Sequence, residues 1–157
     1  MSTSVAPEVE TLARNRFLQK KFLSAIGVPT PDFRLARNHR ELVVAHKALG
    51  FPGVLKLQFA ESDDGPWIVR DFEDVPRALV QTRARPLIWE RCVGIDREFS
   101  LIATRGADGR VHVAPEVTGP ARDYAATIGE RLGIVGIYSV TFFETAGGLL
   151  VDKFVTL

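Results

Sequence analysis

The sequence of 157 residues contains only one cysteine, Cys92, and three histidines. A single cysteine excludes an internal disulfide and a multi-cysteine metal site, and it is typical of a reducing cytoplasm. The histidines, His39, His46 and His112, do not have the spacing of metal ligands. We therefore expect no structural metal site.

The chain also lacks a strong charge of either sign and a long hydrophobic run. Its formal net charge is +1, which gives no reason to expect nucleic acid as a partner. The longest uncharged run, residues 132–143, is too short to span a bilayer. The first ten residues have no basic region followed by an apolar core, which excludes a signal peptide. These absences predict a cytoplasmic protein without nucleic-acid or membrane partners.

What the chain does contain is typical of a packed domain, or of two small lobes: 46% hydrophobic and 25% charged residues. A helix is predicted from Pro7 to about Ile26, with Leu18, Phe22 and Ile26 on one stripe facing a sheet. A second helix runs from the cap Asn38 to Gly50. Further helices are predicted at 72–81 and 121–132, and strands at 33–36, 54–57, 67–69, 86–89, 99–104, 111–114, 137–143 and 149–155. Helices and strands do not alternate strictly, which favours the α+β class.

The stretch from Pro86 to Arg105 carries the clearest functional signal. Glu90 and Glu98 flank the connection between a short apolar run and a β-rich run. Free backbone groups there can read the edge of a purine, and a carboxylate can accept hydrogen bonds from ribose hydroxyls. The alternative is an ordinary β-connection whose charges face water. Lys56, in a predicted strand, is costly if buried alone, so it should face an anion or solvent.

Five segments in order resemble the ATP-grasp superfamily, and the carboxyaminoimidazole ribonucleotide synthases of purine biosynthesis in particular. They read ARNRFLQKKFLSAIGVPTPDFRLA, LGFPGVLKLQ, WIVRD, PLIWERCVGIDREFSLIATRGADG and GIYSVTFFET–GGLLVDKF, and they cover most of residues 10–155. The resemblance implies two α+β lobes with ATP held between their sheets. It predicts an N-terminal tail at 1–9 and an ATP-grasp-like domain at 10–157, with the smaller lobe at roughly 30–86.

The same resemblance implies a set of nucleotide-binding residues. Arg16 and Lys56 would lie near the phosphates, and Glu98 would bind the ribose. Glu90 and the backbone of the next three residues would lie at the adenine; those three are Arg91, Cys92 and Val93. ATP is the nucleotide that this pattern predicts.

The sequence departs from the family pattern where the phosphates and the metal would bind. The expected glycine-rich phosphate loop reads Ala60-Glu61-Ser62-Asp63-Asp64-Gly65-Pro66, which is acidic and has no lysine. Thr141 and Asp152-Lys153 stand where the family has magnesium-binding carboxylates, and magnesium needs hard oxygen ligands. We therefore expect no magnesium site and no ordinary ATP-dependent ligation, because phosphoryl transfer depends on metal-based charge neutralisation.

Three hypotheses for function remain. The first is a degenerate ATP-grasp domain, a pseudoenzyme that binds a nucleotide or interacts with a full-length relative or a biosynthetic enzyme. The second is an enzyme with altered chemistry, whose candidate groups are Lys56, Glu90, Glu98, Arg105, Glu116 and Asp152. The third is a structural oligomer without a ligand.

Self-association is expected because the domain before the grasp lobes and the segment after the last strand, both present in the family, are missing from this sequence. A homodimer through the C-terminal hairpin is predicted from an apolar cluster there: Phe142, Phe143, Leu149, Val151, Phe154 and Val155.

Overall fold

The computed structural model describes residues 2–60 and 64–157. Its helices are α1 (Pro7–Arg14), α2 (Arg16–Ala25), α3 (His39–Leu49), α4 (Val75–Gln81) and α5 (Pro120–Leu132), with a short 3-10 turn at Phe72–Asp74. Its strands are β1 (Phe33–Leu35), β2 (Gly53–Leu57), β3 (Trp67–Val69), β4 (Leu87–Arg91), β5 (Arg97–Arg105), β6 (Val111–His112), β7 (Gly136–Thr145) and β8 (Gly148–Thr156). The α+β prediction is confirmed.

The strands form two antiparallel sheets that belong to different compact units. Unit 1 comprises Met1–Ala13, Lys21–Thr30 and Gly94–Leu157, and its sheet has the order β6-β5-β7-β8. Unit 2 comprises Arg14–Lys20 and Pro31–Val93, with the sheet order β1-β4-β2-β3. These limits differ from the predicted smaller lobe of about 30–86. The division into a tail at 1–9 and a domain at 10–157 stays a prediction; α1 begins at Pro7, and Ser4 forms a backbone bridge with Val135.

The single helix predicted from Pro7 to Ile26 is interrupted at Asn15. The side chain of Asn15 accepts a hydrogen bond from the Leu18 amide at 3.2 Å, which caps the start of α2. The backbone on either side is bonded to the segment after β2, with Arg16 N donating to Gln58 O at 2.7 Å. The predicted stripe is confirmed for Phe22 and Ile26, which pack against the core of unit 1. Leu18 is exposed, and Lys20 and Leu23 are buried.

In unit 2, α3 packs its apolar face on the sheet. Asn38 caps this helix as predicted, accepting from the Glu41 amide at 2.9 Å. The core that results contains Leu42, Ala45, Leu49, Leu55, Leu57, Val69, Leu87 and Trp89. Gly53 has a packing role here, since a Cβ at this position would lie 2.1 Å from the Trp89 ring. Any larger residue at Gly53 would therefore displace the tryptophan.

In unit 1, α5 covers one face of the sheet, and its small and branched residues pack on the long strands. The cluster includes Leu101, Ala103, Ala125, Ile128, Tyr138, Val140, Phe142, Val151 and Phe154. The Tyr138 hydroxyl donates to the Ala125 carbonyl at 2.7 Å, which joins the sheet to the helix. Burial raises the pKa of Tyr138 to about 12, against an opposing effect of the Arg105 cation.

The C-terminal hairpin is less exposed than the sequence suggested. Phe142, Phe143, Val151 and Phe154 are buried within unit 1, and Leu149 packs against its core. Only Val155 of the predicted apolar cluster is exposed. Within the described ranges, no helix is both long enough and apolar enough to cross a membrane.

Candidate functional site

Glu90 lies at the centre of a buried cluster of charges in unit 2. Its carboxylate forms ion pairs with the ammonium groups of Lys20 and Lys56, the latter at 2.5 Å from Oε2. Glu90 and Lys20 have side chains only 2% and 1% exposed, whereas Lys56 is 13% exposed. We call these three residues the Glu90 cluster. Of the two alternatives for Lys56, an anion or solvent, the structure shows the anion. Glu90 does not face water, whereas Glu98, the other charge of the predicted connection, is exposed.

The register of the sheet explains why these groups meet. Glu90 lies opposite Phe33 of β1 and Val54 of β2, so these three side chains share one face. Lys56 projects from the same face of β2, two residues beyond Val54. Lys20 reaches the carboxylate from α2.

The charge of the Glu90 cluster favours an anion. Two ammonium groups lie within ion-pair distance of one carboxylate, so cationic side chains are concentrated in a region of low solvent exposure. Arg16 adds a further cation near the end of β2, where its guanidinium donates to the Leu57 carbonyl at 2.9 Å. A phosphate group therefore fits the electrostatics of this end of unit 2.

The segment predicted to lie at the adenine follows directly from the buried strand. Arg91 is the last residue of β4, and Cys92 and Val93 continue without regular secondary structure, half-buried. The Arg91 amide donates to the Asp32 carbonyl at 2.8 Å, and its guanidinium pairs with the Asp32 carboxylate at 3.3 Å. Their roles at a base remain predictions.

Glu98 belongs to unit 1, where it is exposed on β5 opposite Phe143. Two residues further along, Ser100 lies opposite Thr141, and their hydroxyl oxygens are 2.7 Å apart. Thr141 in turn lies opposite Lys153 of β8. We call Ser100, Thr141 and Lys153 the hydroxyl–lysine row.

The hydroxyl–lysine row is a poor set of ligands for a divalent cation. Two neutral hydroxyl groups and an ammonium supply no carboxylate, and the ammonium repels a metal. Over residues 2–60 and 64–157, no group of three or more His, Cys, Asp or Glu side chains is arranged to hold a metal ion. Of the acidic loop predicted in place of a phosphate loop, Glu61, Ser62 and Asp63 lie outside the described residues.

The other candidate groups for altered chemistry do not join the Glu90 cluster. Glu98, Arg105, Glu116 and Asp152 all belong to unit 1. The Arg105 guanidinium donates to the Ile134 carbonyl at 3.0 Å, and Glu116 is exposed in a loop. Within unit 2, Lys56 and Glu90 of that set form an ion pair.

Sequence reasoning missed Lys20. A signal was present, because Glu90 ends a run of buried strand residues and a buried carboxylate requires a counter-charge. Lys20 also lies one turn before the fully buried Leu23, on the inner side of α2. The sequence analysis assumed one continuous helix from Pro7 to Ile26, so it did not predict which residues of the separate helix α2 face inward.

Comparison with known proteins identifies the family. The ATP-grasp domain family matches residues 21–119, and the chain belongs to it. N5-carboxyaminoimidazole ribonucleotide synthase of Pseudomonas aeruginosa is 32% identical over 172 aligned positions, which cover 95% of this chain and 48% of that protein.

Solved structures of the same type of enzyme have the same fold. The N5-carboxyaminoimidazole ribonucleotide synthetase of Thermus thermophilus superposes with a TM-score of 0.80 at 28% identity, covering 95% of this chain and 46% of that one. An ADP complex of an N5-carboxyaminoimidazole ribonucleotide synthetase gives 0.83 at 25% identity, covering 93% and 45%. The chain thus spans about half the length of these relatives.

Proposed function

We propose that this chain is a nucleotide-binding ATP-grasp domain, related to carboxyaminoimidazole ribonucleotide synthase, that works without magnesium-dependent ligation. The observation that carries the proposal is the hydroxyl–lysine row. Lys153 lies opposite Thr141 in the β7–β8 ladder, so a lysine and a threonine stand where the resemblance predicts metal-binding carboxylates. The relative solved as an ADP complex supports a nucleotide as the ligand.

In this proposal the phosphates are bound by Lys56 and Arg16. Both cations lie in unit 2, near the end of β2. The Glu90 carboxylate is held by two lysines, so it acts by positioning the Lys56 ammonium. The backbone of Arg91–Val93 would bind the base, and Glu98 the ribose.

The proposal is tested by calorimetric titration with ATP and ADP, each with magnesium and with a chelator. We expect binding whose affinity is equal or higher without magnesium, because the phosphates then keep their full negative charge. Binding of ATP that collapses on chelation would refute metal independence. If neither nucleotide binds at millimolar concentration, the nucleotide-binding proposal is wrong and a structural role gains support.

A substitution at Lys56 separates phosphate binding from a structural effect. Lys56→Ala should weaken ATP binding by about tenfold or more and leave adenosine binding unchanged. Lys47→Ala, which removes an exposed charge from α3, is the matched control. Equal losses of ATP and adenosine would mean that Lys56 only supports the fold.

Restoring the carboxylates should not restore catalysis. The double variant Thr141→Glu with Lys153→Glu recreates the acidic pair, but it leaves the acidic segment 60–66 unchanged. We expect ATP turnover to stay at background. Measurable magnesium-dependent ADP release from this variant would show that the remainder of the site is competent for the reaction.

Self-association also belongs to this proposal. Because most of the predicted apolar cluster is buried in unit 1, a homodimer would form through the edge strand β8 with Val155 and Leu157, the exposed apolar residues there. Light scattering tests it directly. A monodisperse particle of 17.3 kDa at high micromolar concentration would refute the dimer.

Association with a full-length relative or a biosynthetic enzyme remains a hypothesis.

A further inference from the structure

A cavity of about 560 Å³ opens on unit 2 between α2, β1 and α3. Its apolar walls are Phe17, Leu35 and Val44, and the last of these is 57% exposed. Sites for small organic ligands occupy about 300–1,000 Å³ and combine apolar walls with a few polar groups. The cavity has that size and composition. Its lining does not include Lys56, which is proposed to bind the phosphates, or Glu90, which is proposed to position Lys56.

The charged groups of the cavity leave it positive. Arg34, Arg40 and Glu41 contribute to its lining. Glu41 is already neutralised by Arg37, whose Nε lies 2.9 Å and 3.0 Å from the two carboxylate oxygens. Hydrogen bonding to this guanidinium holds the pKa of Glu41 below its usual range, so the pair stays ionic at neutral pH. The two other arginines therefore determine the net charge of the lining.

Both of these arginines retain donors for a ligand. Arg34 uses one terminal nitrogen to donate to the Phe33 carbonyl at 2.7 Å. In the part of the chain that the structure describes, neither Arg34 nor Arg40 forms an ion pair. A guanidinium has five N–H donors in a planar fork that matches a carboxylate or a phosphate.

The position of Arg40 is not explained by the stability of its helix. It lies in the first turn of α3, where the helix dipole favours negative charge and a cation is unfavourable. Packing in the core does not explain an apolar residue at Val44 either, because Val44 is exposed whereas its neighbours Leu42 and Ala45 are buried. Arg40 and Val44 lie one turn apart on α3 and are both exposed, and together they line one wall of the cavity.

We propose that this cavity binds a small organic anion, with one carboxylate or phosphate group at Arg34 and Arg40 and an apolar body against Phe17, Leu35 and Val44. The site is separate from the proposed nucleotide site and does not depend on it. Charge complementarity selects the anionic group, and the apolar walls select a ligand that is larger than a free inorganic ion.

The test uses naphthyl phosphate and naphthoate as probes, with naphthol and inorganic phosphate as controls. Titrations of the full chain are followed by amide chemical shifts in an NMR spectrum. We expect saturable shifts confined to residues 17 and 33–44 for at least one anionic probe, and binding about tenfold weaker or worse for both controls. The stronger of the two anions identifies the group that the site prefers.

Two matched pairs of variants test the assignment of the walls. Arg40→Gln should weaken binding of the anionic probe about tenfold, whereas Lys47→Gln, which removes a charge from the same helix, should not. Val44→Asp should abolish binding, whereas Val80→Asp on α4, also exposed and apolar in the native chain, should not. Circular dichroism should show that all four variants remain folded.

Several results would overturn the proposal. These are the absence of saturable shifts at millimolar probe, equal binding of naphthol, and equal losses in Arg40→Gln and Lys47→Gln. A loss of probe binding in Lys56→Ala would show that the anion occupies the proposed phosphate site, so the cavity would not be a separate site. In that case the nucleotide proposal would stand and the cavity proposal would fall.

Discussion

In unit 2 the Glu90 cluster lies beneath the surface, and Glu90 and Lys20 are almost fully buried. In unit 1 the ion pair between Arg97 and Glu144 lies in solvent, with side chains 65% and 47% exposed. The charged atoms lie within ion-pair distance in both regions, at 2.9 Å for Arg97 and Glu144, but the surrounding dielectric differs. A short distance between opposite charges therefore indicates a large effect on stability only where water is excluded.

The largest effect should follow from removing the buried carboxylate. Glu90→Gln removes the buried carboxylate that pairs with both Lys20 and Lys56, and we expect the free energy of unfolding to fall by about 3–5 kcal/mol. Urea unfolding measures it. A fall below about 1 kcal/mol would show that water already reaches the cluster, and the contrast between the two units would disappear.

A second variant sharpens the interpretation. Lys20→Met in the Glu90→Gln background removes the more deeply buried ammonium, so part of the lost stability should return. Lys56 is more exposed and can be hydrated in the double variant. If the double variant is less stable than Glu90→Gln alone, Lys20 contributes mainly through packing of its aliphatic chain.

Tyr138 is a neutral buried polar group of unit 1, and its removal should have an intermediate effect. Tyr138→Phe loses the hydrogen bond to the Ala125 carbonyl, which should cost about 1 kcal/mol in urea unfolding at neutral pH. An unchanged stability would mean that the carbonyl finds another partner in the variant.

The same residue gives a pH dependence with a defined sign. The pKa of Tyr138 is raised to about 12 in the folded chain, from an ordinary value of 10.0. The unfolded chain therefore loses this proton first, and the contribution of Tyr138 to stability, fully present below about pH 10, declines as pH rises towards 12. Tyr138→Phe should reduce the loss of stability over this range. If the free energy of unfolding falls equally with pH in the native chain and in Tyr138→Phe, the pH dependence does not arise from Tyr138.

A smaller effect is expected within the hydroxyl–lysine row. Ser100→Ala and Thr141→Val each remove one partner of the 2.7 Å hydrogen bond. A double-mutant cycle should give a coupling energy of about 0.5–1 kcal/mol, because Ser100 is exposed and can bond to water instead. A coupling near zero would show that the two hydroxyl groups do not stabilise one another in solution.

The smallest effect is expected at the exposed ion pair. Glu144→Gln should change the free energy of unfolding by about 0.2–1 kcal/mol, and the change should shrink at high salt. The comparison with Glu90→Gln, measured in the same buffer, tests the contrast directly. A loss at Glu144 as large as that at Glu90 would mean that burial does not govern the energetics of these pairs.

The sequence by itself determined the elements that rest on local signals. The Asn38 cap is a local signal, and so are Asp108-Gly109 between β5 and β6 and Gly147-Gly148 at the turn between β7 and β8. The start of α3 and the two hairpins of unit 1 were therefore predictable. The order of the sequence motifs was likewise sufficient to identify the ATP-grasp fold. The sequence also limited Lys56 to a position facing either an anion or solvent, because a strand lysine is costly to bury alone.

Only the tertiary structure decided which distant residues meet. The break of the first helix at Asn15 arises from backbone bonds to residues beyond β2, which no local pattern encodes. Lys20 lies in one cluster with Lys56 and Glu90 although 36 and 70 positions, respectively, separate it from them, since sheet register and helix rotation bring them together. Part of the apolar set of the last hairpin was expected to be exposed, yet all of it except Val155 is buried or packed against the core of unit 1, which includes residues of α5 and Leu23. Burial depends on what packs above a strand, and alternation along the chain does not specify that partner.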